Sequence, residues 1–510
     1  MTRRIAILLA ALVAPLAWTL DRPADFDEVN FLTLARGAAL DPWRPHAISI
    51  NWQGVTEPAF AVLSNPPGIA WWLWPVVAQP VWVQRVWMLP WLVLAAFGAG
   101  KLGKRFLGSG EGGALVLLTA PVVVLASTAL LPDLPLYACC LAGMGAFIEA
   151  IDEDEPAFGW AALLGVAALF RYSGLALWPL PFLYAFLQRR SLWFAVPVVV
   201  PTVALALHDA AAYGQIHLLA AGQFQSVSNT PLDWGHKAAA AVTFLGGVVV
   251  LPVYRWQRAG WTGAALGAVG AAYWGPVAAG FGALGGASLA VAVGALRGQR
   301  GGAAEAPAEH GNAAPDRLFL AAWSLLGLAF LLTLRFTAAR YWLPFAPGLL
   351  LLLPQDLPRL RLGLSFGLGV LLSVDVALQA RGDADLASRA AAVAAPAELA
   401  AKPGFVGHWG WQGRLEAAGW TALDEGVTAA PGSLVAIPVE AWPQAVGVRC
   451  DHVRWRGSAW PPIPWLPRGY SREAEANLNA NWIAGKPPVR IVVPWWFARD
   501  AYESARVCAE

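Results

Sequence analysis

The residues of this chain that could do chemistry are a small set of polar side chains at the ends of apolar segments. Ionisable groups near a membrane core cost free energy and tend to mark function. Once the basic residues of the predicted inner loops are set aside, the remaining candidates all fall on one predicted side of the membrane. They are Asp27, Glu28, Asp133, Arg171, His208, Asp209, Arg335, Arg340 and Tyr341. Carboxylates there could activate a nucleophile and guanidinium groups could bind an anionic headgroup, so the set predicts a cleft at the outer surface.

The carboxylates of this set also have structural interpretations. Asp133 lies in PDLP, a good helix start, and could cap the helix that follows. Asp27 precedes the amphipathic segment VNFLTLARGAAL and could in part cap that helix, whereas Asp25 is expected to be solvated. Capping alone does not explain why Asp27 and Glu28 stand together directly outside a span.

The cations have structural interpretations too. Arg171, Arg335 and Arg340 could each be an interfacial arginine whose aliphatic stem lies along apolar surface. His208 and Asp209 could belong to a metal site, but we expect a polar cluster at the end of a helix. The sequence therefore indicates no metal ligand, and a divalent metal ion stays an open alternative.

The composition restricts the class of protein. Of the 510 residues, 57% are hydrophobic and 13% are charged, and the mean hydropathy is +0.51. Soluble domains are closer to half apolar and one quarter charged, so a polytopic membrane protein is predicted. The 28 tryptophans agree with this class, because Trp favours bilayer interfaces. The net charge of +2 and the lack of basic runs predict no nucleic-acid partner.

Apolar stretches long enough to cross a bilayer define the predicted fold class, an all-α polytopic protein of thirteen transmembrane helices. The spans lie near residues 5–20, 82–101, 112–131, 134–151, 157–171, 174–188, 191–208, 237–254, 261–275, 277–296, 317–335, 341–354 and 360–378. The Trp-rich stretch GIAWWLWPVV, residues 68–77, is too short to span and is predicted to lie on the membrane surface.

Lysine and arginine near the span ends set the predicted orientation, because cytoplasmic loops are rich in both. With the N-terminus in the cytoplasm, only DEDE, residues 152–155, departs from a basic inner-loop pattern. The N-terminal stretch IAILLAALVAPLAWTL resembles a signal peptide, but the missing cleavage site predicts an uncleaved first span. The inner-end cations are Arg3, Arg4, Lys101, Lys104, Arg105, Arg189, Arg190, Arg255, Arg258, Arg297, Arg300, Arg359 and Arg361.

Two regions follow from this arrangement. A transmembrane domain at 1–379 includes a long outer loop at 21–81, and a polar domain at 380–510 is predicted to be extracytoplasmic. The polar domain has a helical pattern in GFVGHWGWQGRLEAAGW and strand patterns in GSLVAIPV and PVRIVVPWWF, which predict a small α/β unit. The inner segment 297–317 is rich in Gly and Ala and is predicted to be a disordered linker.

The four cysteines fall into two pairs. Cys139 and Cys140 lie in an apolar run and are predicted to be buried packing residues. Cys450 and Cys508 of the polar domain could form a disulfide if that domain is exported, or could be two free thiols.

Several motifs occur in an order that resembles a known family. Asp27 and Glu28 follow the first span, NPPGIAWWLWP at 65–75 closes the outer loop, and Asp133 follows the third span. LFRYSGLALWPLP, ARYWLPFAPGLLLL and the outer fragment GFVGHWGWQGRLEAAG come next. Over residues 1–378 the chain resembles the GT-C superfamily of polyprenyl-phosphate-sugar-dependent glycosyltransferases. Within it, the chain is most similar to bacterial relatives of protein O-mannosyltransferases and of lipid A aminoarabinose transferase.

The resemblance implies an inner-membrane enzyme that moves a sugar from a polyprenyl-phosphate donor to an acceptor at the outer face. Asp27 matches the acidic first-loop residue that acts as the base at the acceptor, with Glu28 beside it. Arg171 falls where relatives often carry Lys or Arg, and Arg340 lies in the family's Arg-Tyr motif with Tyr341. These side chains are expected to bind the donor phosphate. The residues expected to support the site are Asp133, Asn65, His208 and Asp209, and at Asn65 many relatives have His or Lys.

The donor sugar and the acceptor, whether lipid, glycan or protein, stay open. A transporter or flippase of lipid-linked sugars would also line a cavity with charged residues, but it should place them near mid-membrane, often within repeats. A third alternative is a non-catalytic assembly protein whose polar domain is a binding module. The position of the candidates at the outer ends of the spans, without a repeat, favours the transferase.

Overall fold

The computed structural model describes residues 3–52, 54–225, 231–248, 258–296, 314–334, 337–352, 359–395, 398, 402–477 and 493–509. The described α-helices are Arg3–Val13, Glu28–Leu40, Ala59–Val62, Gly68–Leu73, Val81–Val86, Leu89–Leu107, Gly110–Leu118, Pro121–Ala126, Asp133–Asp152, Phe158–Phe170, Pro179–Leu187, Val200–Tyr213, His217–Gln225, Pro231–Val248, Arg258–Ala271, Pro276–Leu296, Ala314–Thr333, Ala346–Leu352, Arg359–Ala391 and Trp409–Ala417. Short 3-10 helices are Ala14–Thr19, Trp74–Val76, Tyr172–Leu177, Leu192–Val199, Ala272–Trp274 and Ala339–Trp342.

The predicted fold class is confirmed for the described part of the chain, which is mainly helical with a small C-terminal sheet region. Six helical segments there are long and apolar enough to cross a membrane, so the count of thirteen is not reached. The six are Val81–Leu107, Asp133–Asp152, Leu192–Tyr213, Pro276–Leu296, Ala314–Thr333 and Arg361–Ala391. Shorter apolar helices, Phe158–Phe170 and Tyr172–Leu187, occupy two further predicted spans.

Proline explains why some predicted spans are broken. The stretch at 112–131 is divided between the helices Gly110–Leu118 and Pro121–Ala126, because Pro121 cannot continue a helix but can begin one. The stretch at 341–354 is divided in the same way into the 3-10 turn Ala339–Trp342 and the helix Ala346–Leu352. Hydropathy predicts that these segments are apolar, but it does not predict their breaks.

Two predicted spans continue beyond their predicted ends. The helix predicted to end at 208 runs to Tyr213, so His208 and Asp209 lie within its last turns and not at its terminus. The helix Arg359–Ala391 runs well past 378, and its last turns pack into the C-terminal core. The domain boundary predicted at 379/380 therefore falls inside a helix that both regions share.

The helix Asp133–Asp152 lies at the centre of the bundle, where all of its residues except Glu149 and Asp152 are buried. A Cβ added to Gly98 would lie 2.2 Å from the carbonyl carbon of Leu141, so glycine permits backbone contact with the helix Leu89–Leu107. At a rise of about 1.5 Å per residue, this helix is about 30 Å long, the thickness of a bilayer core. The helix is therefore long enough for its two ends to reach opposite surfaces of a membrane.

Ion pairs surround the C-terminal end of this central helix. Lys101 pairs with Glu149, and Arg105 bonds to Asp152 at 2.5 Å and to Asp316 at 3.0 Å. Arg105, a basic residue assigned to the inner face, thus neutralises Asp152 of the acidic segment that departs from the basic pattern.

The outer loop at 21–81 is folded, and its buried apolar residues, such as Phe31 and Ile69, share one core with the helices of the bundle. It contains the helix Glu28–Leu40 and a hairpin of Ser49–Asn51 with Thr56–Pro58, in which Ile50 lies opposite Glu57. The loop then continues through short helices, of which Gly68–Leu73 begins the stretch predicted to lie on the membrane.

The C-terminal region forms a five-stranded mixed sheet with the helix Trp409–Ala417. Its strands, in spatial order, are Thr421–Ala422, Gly404–Phe405, Leu434–Pro438, Glu503–Ala509 and His452–Ala459. The first three are parallel and the last two pairings are antiparallel. A disulfide joins Cys450 to Cys508, whereas Cys139 and Cys140 are free and buried. Of PVRIVVPWWF only the end is described, with Trp496–Phe497 as a short strand. Of the linker predicted to be disordered at 297–317, residues 297–313 lie outside the described residues, and the prediction is wrong for 314–317, which begin the helix Ala314–Thr333.

Candidate active site

The structure brings candidates from four distant segments into one connected set, which we call the ion cluster. Arg340 Nη2 donates to Asp27 Oδ2 at 2.5 Å, and Arg340 Nη1 lies 3.9 Å from Asp133 Oδ2. Arg171 Nη1 donates to Asp133 Oδ1 at 2.9 Å. The guanidinium carbon of Arg171 lies 4.5 Å from the ring centre of Tyr341. The ion cluster therefore consists of these five residues, and Arg335 lies outside the described residues.

Each member of the ion cluster stands where a helical element begins or ends. Asp27 precedes the helix Glu28–Leu40 but makes no capping hydrogen bond through its side chain. Asp133 opens the central helix, and its carboxylate bonds to Arg171. Arg171 has an extended backbone, and Arg340 lies in a 3-10 turn. Helix capping therefore does not explain the position of either carboxylate. The positions of Arg171 and Arg340 are explained by ion pairing better than by snorkelling.

The two carboxylates of the ion cluster differ in access. The side chain of Asp27 is 24% exposed, whereas that of Asp133 is 1% exposed. Burial alone would lower the pKa of Arg340, but Asp27 and Asp133 raise it above its usual value, so the guanidinium stays charged. Asp133 is thus a buried anchor for two cations, and Asp27 is the carboxylate that a ligand can reach.

Glu28 is held differently from Asp27, although the two are neighbours in sequence. It is 2% exposed, and its Oε1 accepts from Arg22 at 2.6 Å, from Arg85 at 2.9 Å and from the backbone N–H of Leu130 at 2.9 Å. Burial alone would raise the pKa of Glu28, but Arg22 and Arg85 lower it to about 2. Glu28 is therefore ionised and fully engaged in a buried ion pair.

The residues before Asp27 join the outer loop to the C-terminal domain. Asp25 is 3% exposed and accepts from the backbone N–H of Gly410 at 3.1 Å, so the expectation that it is solvated is wrong. Phe26 has a φ of +45°, a strained conformation for a residue other than glycine. Its ring lies 5.0 Å from that of Trp409 and 6.0 Å from that of Tyr470. Packing from the C-terminal domain thus holds the strained turn on which Asp27 sits.

A cleft of about 490 Å³, including its open mouth, lies beside the ion cluster. Asp27 and Arg340 contribute charged groups to its lining. Asp25 and Gln379 contribute buried polar groups, and Gly469 contributes backbone from the C-terminal domain. The cleft is therefore built from the outer loop, from the transmembrane bundle and from the C-terminal domain.

The other supporting candidates lie in a second set of contacts, which we call the histidine layer and which centres on His46, His208 and His217. His208 Nδ1 lies 3.1 Å from Asp209 Oδ1, and the other oxygen of Asp209 accepts from the backbone N–H of His217. Asn65 contributes its backbone carbonyl, which accepts from His46 Nε2 at 3.1 Å. Asn65, His208 and Asp209 thus take part in the hydrogen bonds of the histidine layer.

Tyr172 links the histidine layer to the ion cluster, because it directly follows Arg171 in the chain. Its hydroxyl lies 2.9 Å from His217 Nδ1, while His217 Nε2 donates to the carbonyl of Leu63 at 2.9 Å. Burial lowers the pKa of His217 to about 4, so the ring is neutral at pH 7 and can accept from the tyrosine. The layer therefore holds the outer loop against the segment that carries Arg171.

As for metals, no group of three or more His, Cys, Asp or Glu side chains in the described ranges is arranged as a set of ligands. Both ring nitrogens of His208 face oxygen atoms, those of Asp209 and of the Trp43 carbonyl. The pair of His208 and Asp209 is therefore used in hydrogen bonds between elements.

Sequence reasoning missed Arg22, Arg85, Gln379, His46 and His217. Arg22 and Arg85 resemble ordinary interfacial cations in the sequence, and their role depends on a carboxylate that is 57 residues from Arg85. Gln379 falls at the predicted end of a span, where the helix in fact continues. His46 and His217 are not spaced from the candidate residues at a helical or strand period, so the sequence does not predict that they contact them.

Comparisons with known proteins give two distant structural similarities. No protein-family model matches the sequence, and no curated protein is significantly similar to it. A crystal structure of ArnT from Cupriavidus metallidurans bound to undecaprenyl phosphate has a TM-score of 0.45 and 17% identity, covering 86% of this chain and 93% of that chain. The apo structure of the same protein has a TM-score of 0.42 and 17% identity, with coverages of 85% and 92%.

Proposed function

We propose that this chain is a membrane glycosyltransferase of the GT-C type that uses a polyprenyl-phosphate sugar as its donor. The observation that carries the proposal is the ion cluster, in which one accessible carboxylate and two partly buried guanidinium groups meet beside a cleft. The cluster lies at the end of the bundle opposite to the ion pairs of Arg105. This placement supports chemistry at a membrane surface more than transport through mid-membrane.

Asp27 acts as the general base in this proposal. It is the accessible carboxylate of the ion cluster, and its partner Arg340 fixes its position in the cleft. The acceptor oxygen or nitrogen attacks the anomeric carbon while Asp27 takes the acceptor's proton. The bond from the anomeric carbon to the phosphate oxygen breaks, and its electron pair leaves with the lipid phosphate. Attack from the face opposite to the leaving group inverts the anomeric carbon.

Arg340 and Arg171 bind the donor phosphate. Before the donor arrives, Arg340 is paired with Asp27, and its hydrogen bond occupies an oxygen atom that would otherwise be available to the acceptor's proton. A donor phosphate that draws the guanidinium of Arg340 to itself weakens this pair and frees Asp27 to accept a proton. The leaving lipid phosphate carries more negative charge than the donor's diester, so both guanidiniums stabilise it more strongly as the bond breaks.

The remaining candidates position the site. We assign Glu28 a structural role, in place of the catalytic role that the sequence suggests, because its carboxylate holds Arg22 and Arg85 in a buried pair. Asp133 orients Arg171, and Tyr341 supports the same guanidinium from its ring face. Asn65, His208 and Asp209 stabilise the outer loop through the histidine layer.

We further propose that the N-terminus is cytoplasmic and that the C-terminal domain lies outside the cytoplasmic membrane. The disulfide between Cys450 and Cys508 supports this orientation, because such bonds persist in oxidising compartments. The basic residues near Arg105, at the far end of the central helix, support it as well.

Binding of undecaprenyl phosphate to the purified full-length protein in lipid nanodiscs tests the phosphate site. Arg340→Lys keeps a charge beside Asp27 but loses the planar fork that binds two phosphate oxygens. We expect Arg340→Lys and Arg171→Gln each to weaken binding by about tenfold or more, measured by native mass spectrometry. Arg414→Gln, at an exposed position of the C-terminal domain, is the control and should bind as wild type. Equal binding by all four proteins would contradict the phosphate site.

A further inference from the structure

Two polar atoms in the lining of the cleft are buried and lack a hydrogen-bond partner among the described residues. They are Oδ2 of Asp25 and Oε1 of Gln379. Asp25 is 3% exposed and Gln379 is 2% exposed. Buried polar atoms almost always have partners, and leaving one unpaired costs about 1–3 kcal/mol. A ligand whose polar groups reach these atoms would remove that cost.

Asp25 and Gln379 are both held in place, so their free atoms are directed by the fold. The other oxygen of Asp25 accepts from the backbone N–H of Gly410. Gln379 lies on the helix Arg359–Ala391, between the transmembrane bundle and the C-terminal domain. Because Phe26 holds the turn between them, Asp25 is bonded to the C-terminal domain while Asp27 is bonded to Arg340. Polar and charged groups thus line different parts of one cleft.

The chemistry of these two atoms fits an uncharged ligand that bears hydroxyl groups. Burial raises the pKa of Asp25 above its usual value, which favours a protonated carboxyl that can donate a hydrogen bond. The carbonyl of Gln379 can only accept. Among the charged residues of the lining, Arg22 is paired with Glu28 and Arg340 with Asp27, so neither carboxylate is free to bind an ammonium group.

We propose that Asp25 and Gln379 form the subsite for the sugar ring of the donor, and that this subsite selects neutral, hydroxyl-bearing sugars over amino sugars. This inference rests on the function proposed above. It assigns the donor's ring to the cleft because Arg340, which would hold the donor phosphate, lines the same cleft. Asp25 donates to one sugar hydroxyl, and Gln379 accepts from another.

Binding of synthetic lipids to the full-length protein in nanodiscs tests the subsite. The probes are undecaprenyl phosphate without a sugar, its esters with glucose, galactose, mannose and arabinose, and its ester with glucosamine. Because the sugar adds two hydrogen bonds, we expect the best neutral ester to bind about tenfold more tightly than the sugar-free lipid. Relative to the sugar-free lipid, we expect the glucosamine ester to gain less affinity than the glucose ester does.

Substitutions separate this subsite from the phosphate site. Asp25→Asn keeps a hydrogen-bond donor in the cleft and an acceptor for the N–H of Gly410. This variant should therefore still bind the neutral sugar ester more tightly than the sugar-free lipid. Asp25→Leu and Gln379→Leu each remove one of the two hydrogen bonds, so each should reduce that advantage from about tenfold to about threefold while leaving the sugar-free lipid bound as in wild type. The exposed Gln215→Leu is the matched control. Binding of the sugar-free lipid also reports that each variant is folded.

Three outcomes would overturn the subsite. The neutral sugars could add nothing to binding, the full advantage could survive in Gln379→Leu, or the glucosamine ester could bind most tightly. In each case arginine-dependent binding of the sugar-free lipid would leave the proposed transferase intact. If the sugar-free lipid does not bind either, the proposed function fails together with the subsite.

Discussion

At the residue scale, two neighbouring carboxylates have different uses because their environments differ. Both residues line the cleft, but Asp27 is 24% exposed and pairs with Arg340, whereas Glu28 is buried between Arg22 and Arg85. The sequence predicts that acid gathers here, but it cannot separate the two residues. Arg85 and Arg340 come from distant segments, so no local sequence pattern predicts which carboxylate is buried.

Replacing Glu28 tests this division of roles. In Glu28→Gln the two guanidiniums lose their counter-charge, and breaking a buried ion pair costs about 3–5 kcal/mol. We expect a clear drop in the thermal unfolding temperature of the detergent-solubilised protein. Asp27→Asn, at a partly exposed position, should change that temperature much less. A Glu28→Gln protein as stable as wild type would contradict the structural role.

The same pair predicts a pH dependence. The folded-state pKa of Glu28 is about 2, below its usual value of 4.5, so its stabilising contribution is complete above pH 4.5. That contribution is lost as the pH falls from 4.5 toward 2. Thermal unfolding of wild type and Glu28→Gln should therefore converge over this range. A difference that stays constant down to pH 2 would contradict this assignment.

At the element scale, the sequence predicts apolar helices well and their ends less well. The central helix Asp133–Asp152 agrees with the predicted span to within one residue at each end. The helix that reaches Ala391 does not, because its last turns are stabilised by contacts with a domain whose position no periodicity reveals. The convergence of Asp27 with Arg340 follows from span order and orientation, whereas the buried Asp25 depends on that unpredicted domain contact.

The strained turn at Phe26 connects the outer loop to the C-terminal domain. A substitution in the C-terminal domain should therefore make this turn more mobile. Trp409→Ala removes an aromatic contact that holds Phe26, while Asp27 itself is untouched. We expect amide hydrogen exchange in residues 25–31 to accelerate by about three- to tenfold. Trp460→Ala, at a position 65% exposed, is the matched control and should leave this exchange unchanged. Equal exchange in both variants would mean that the C-terminal domain does not hold the turn.

At the scale of the whole molecule, charge is divided between two ends of a bundle about as long as a bilayer is thick. One end carries the ion pairs of Arg105, and the other carries the ion cluster, covered by the outer loop and the C-terminal domain. Because the C-terminal domain covers the end that carries the ion cluster, we infer that this domain completes the cleft and is not a separate binding module.

The proposed orientation makes a prediction about the cysteines. When whole cells are denatured in maleimide without reductant, we expect Cys139 and Cys140 to react while Cys450 and Cys508 stay blocked as a disulfide. Reductant should expose all four cysteines, as measured by mass spectrometry of the protein. Four reactive thiols without reductant would contradict an extracytoplasmic C-terminal domain. Cys450→Ser should also destabilise that domain by about 2–4 kcal/mol.

The most direct test of the central claim is lipid mass spectrometry of cells that carry wild type, a deletion, Asp27→Asn or Asp21→Asn at equal expression. Asp21 is a matched control, because it is an exposed carboxylate of the same loop that also pairs with an arginine. We predict that a polyprenyl-phosphate sugar accumulates in the deletion and in Asp27→Asn, but not in wild type or Asp21→Asn. If no such lipid accumulates in the deletion, or if Asp27→Asn behaves as wild type, the account of Asp27 as the base of a sugar transfer is wrong.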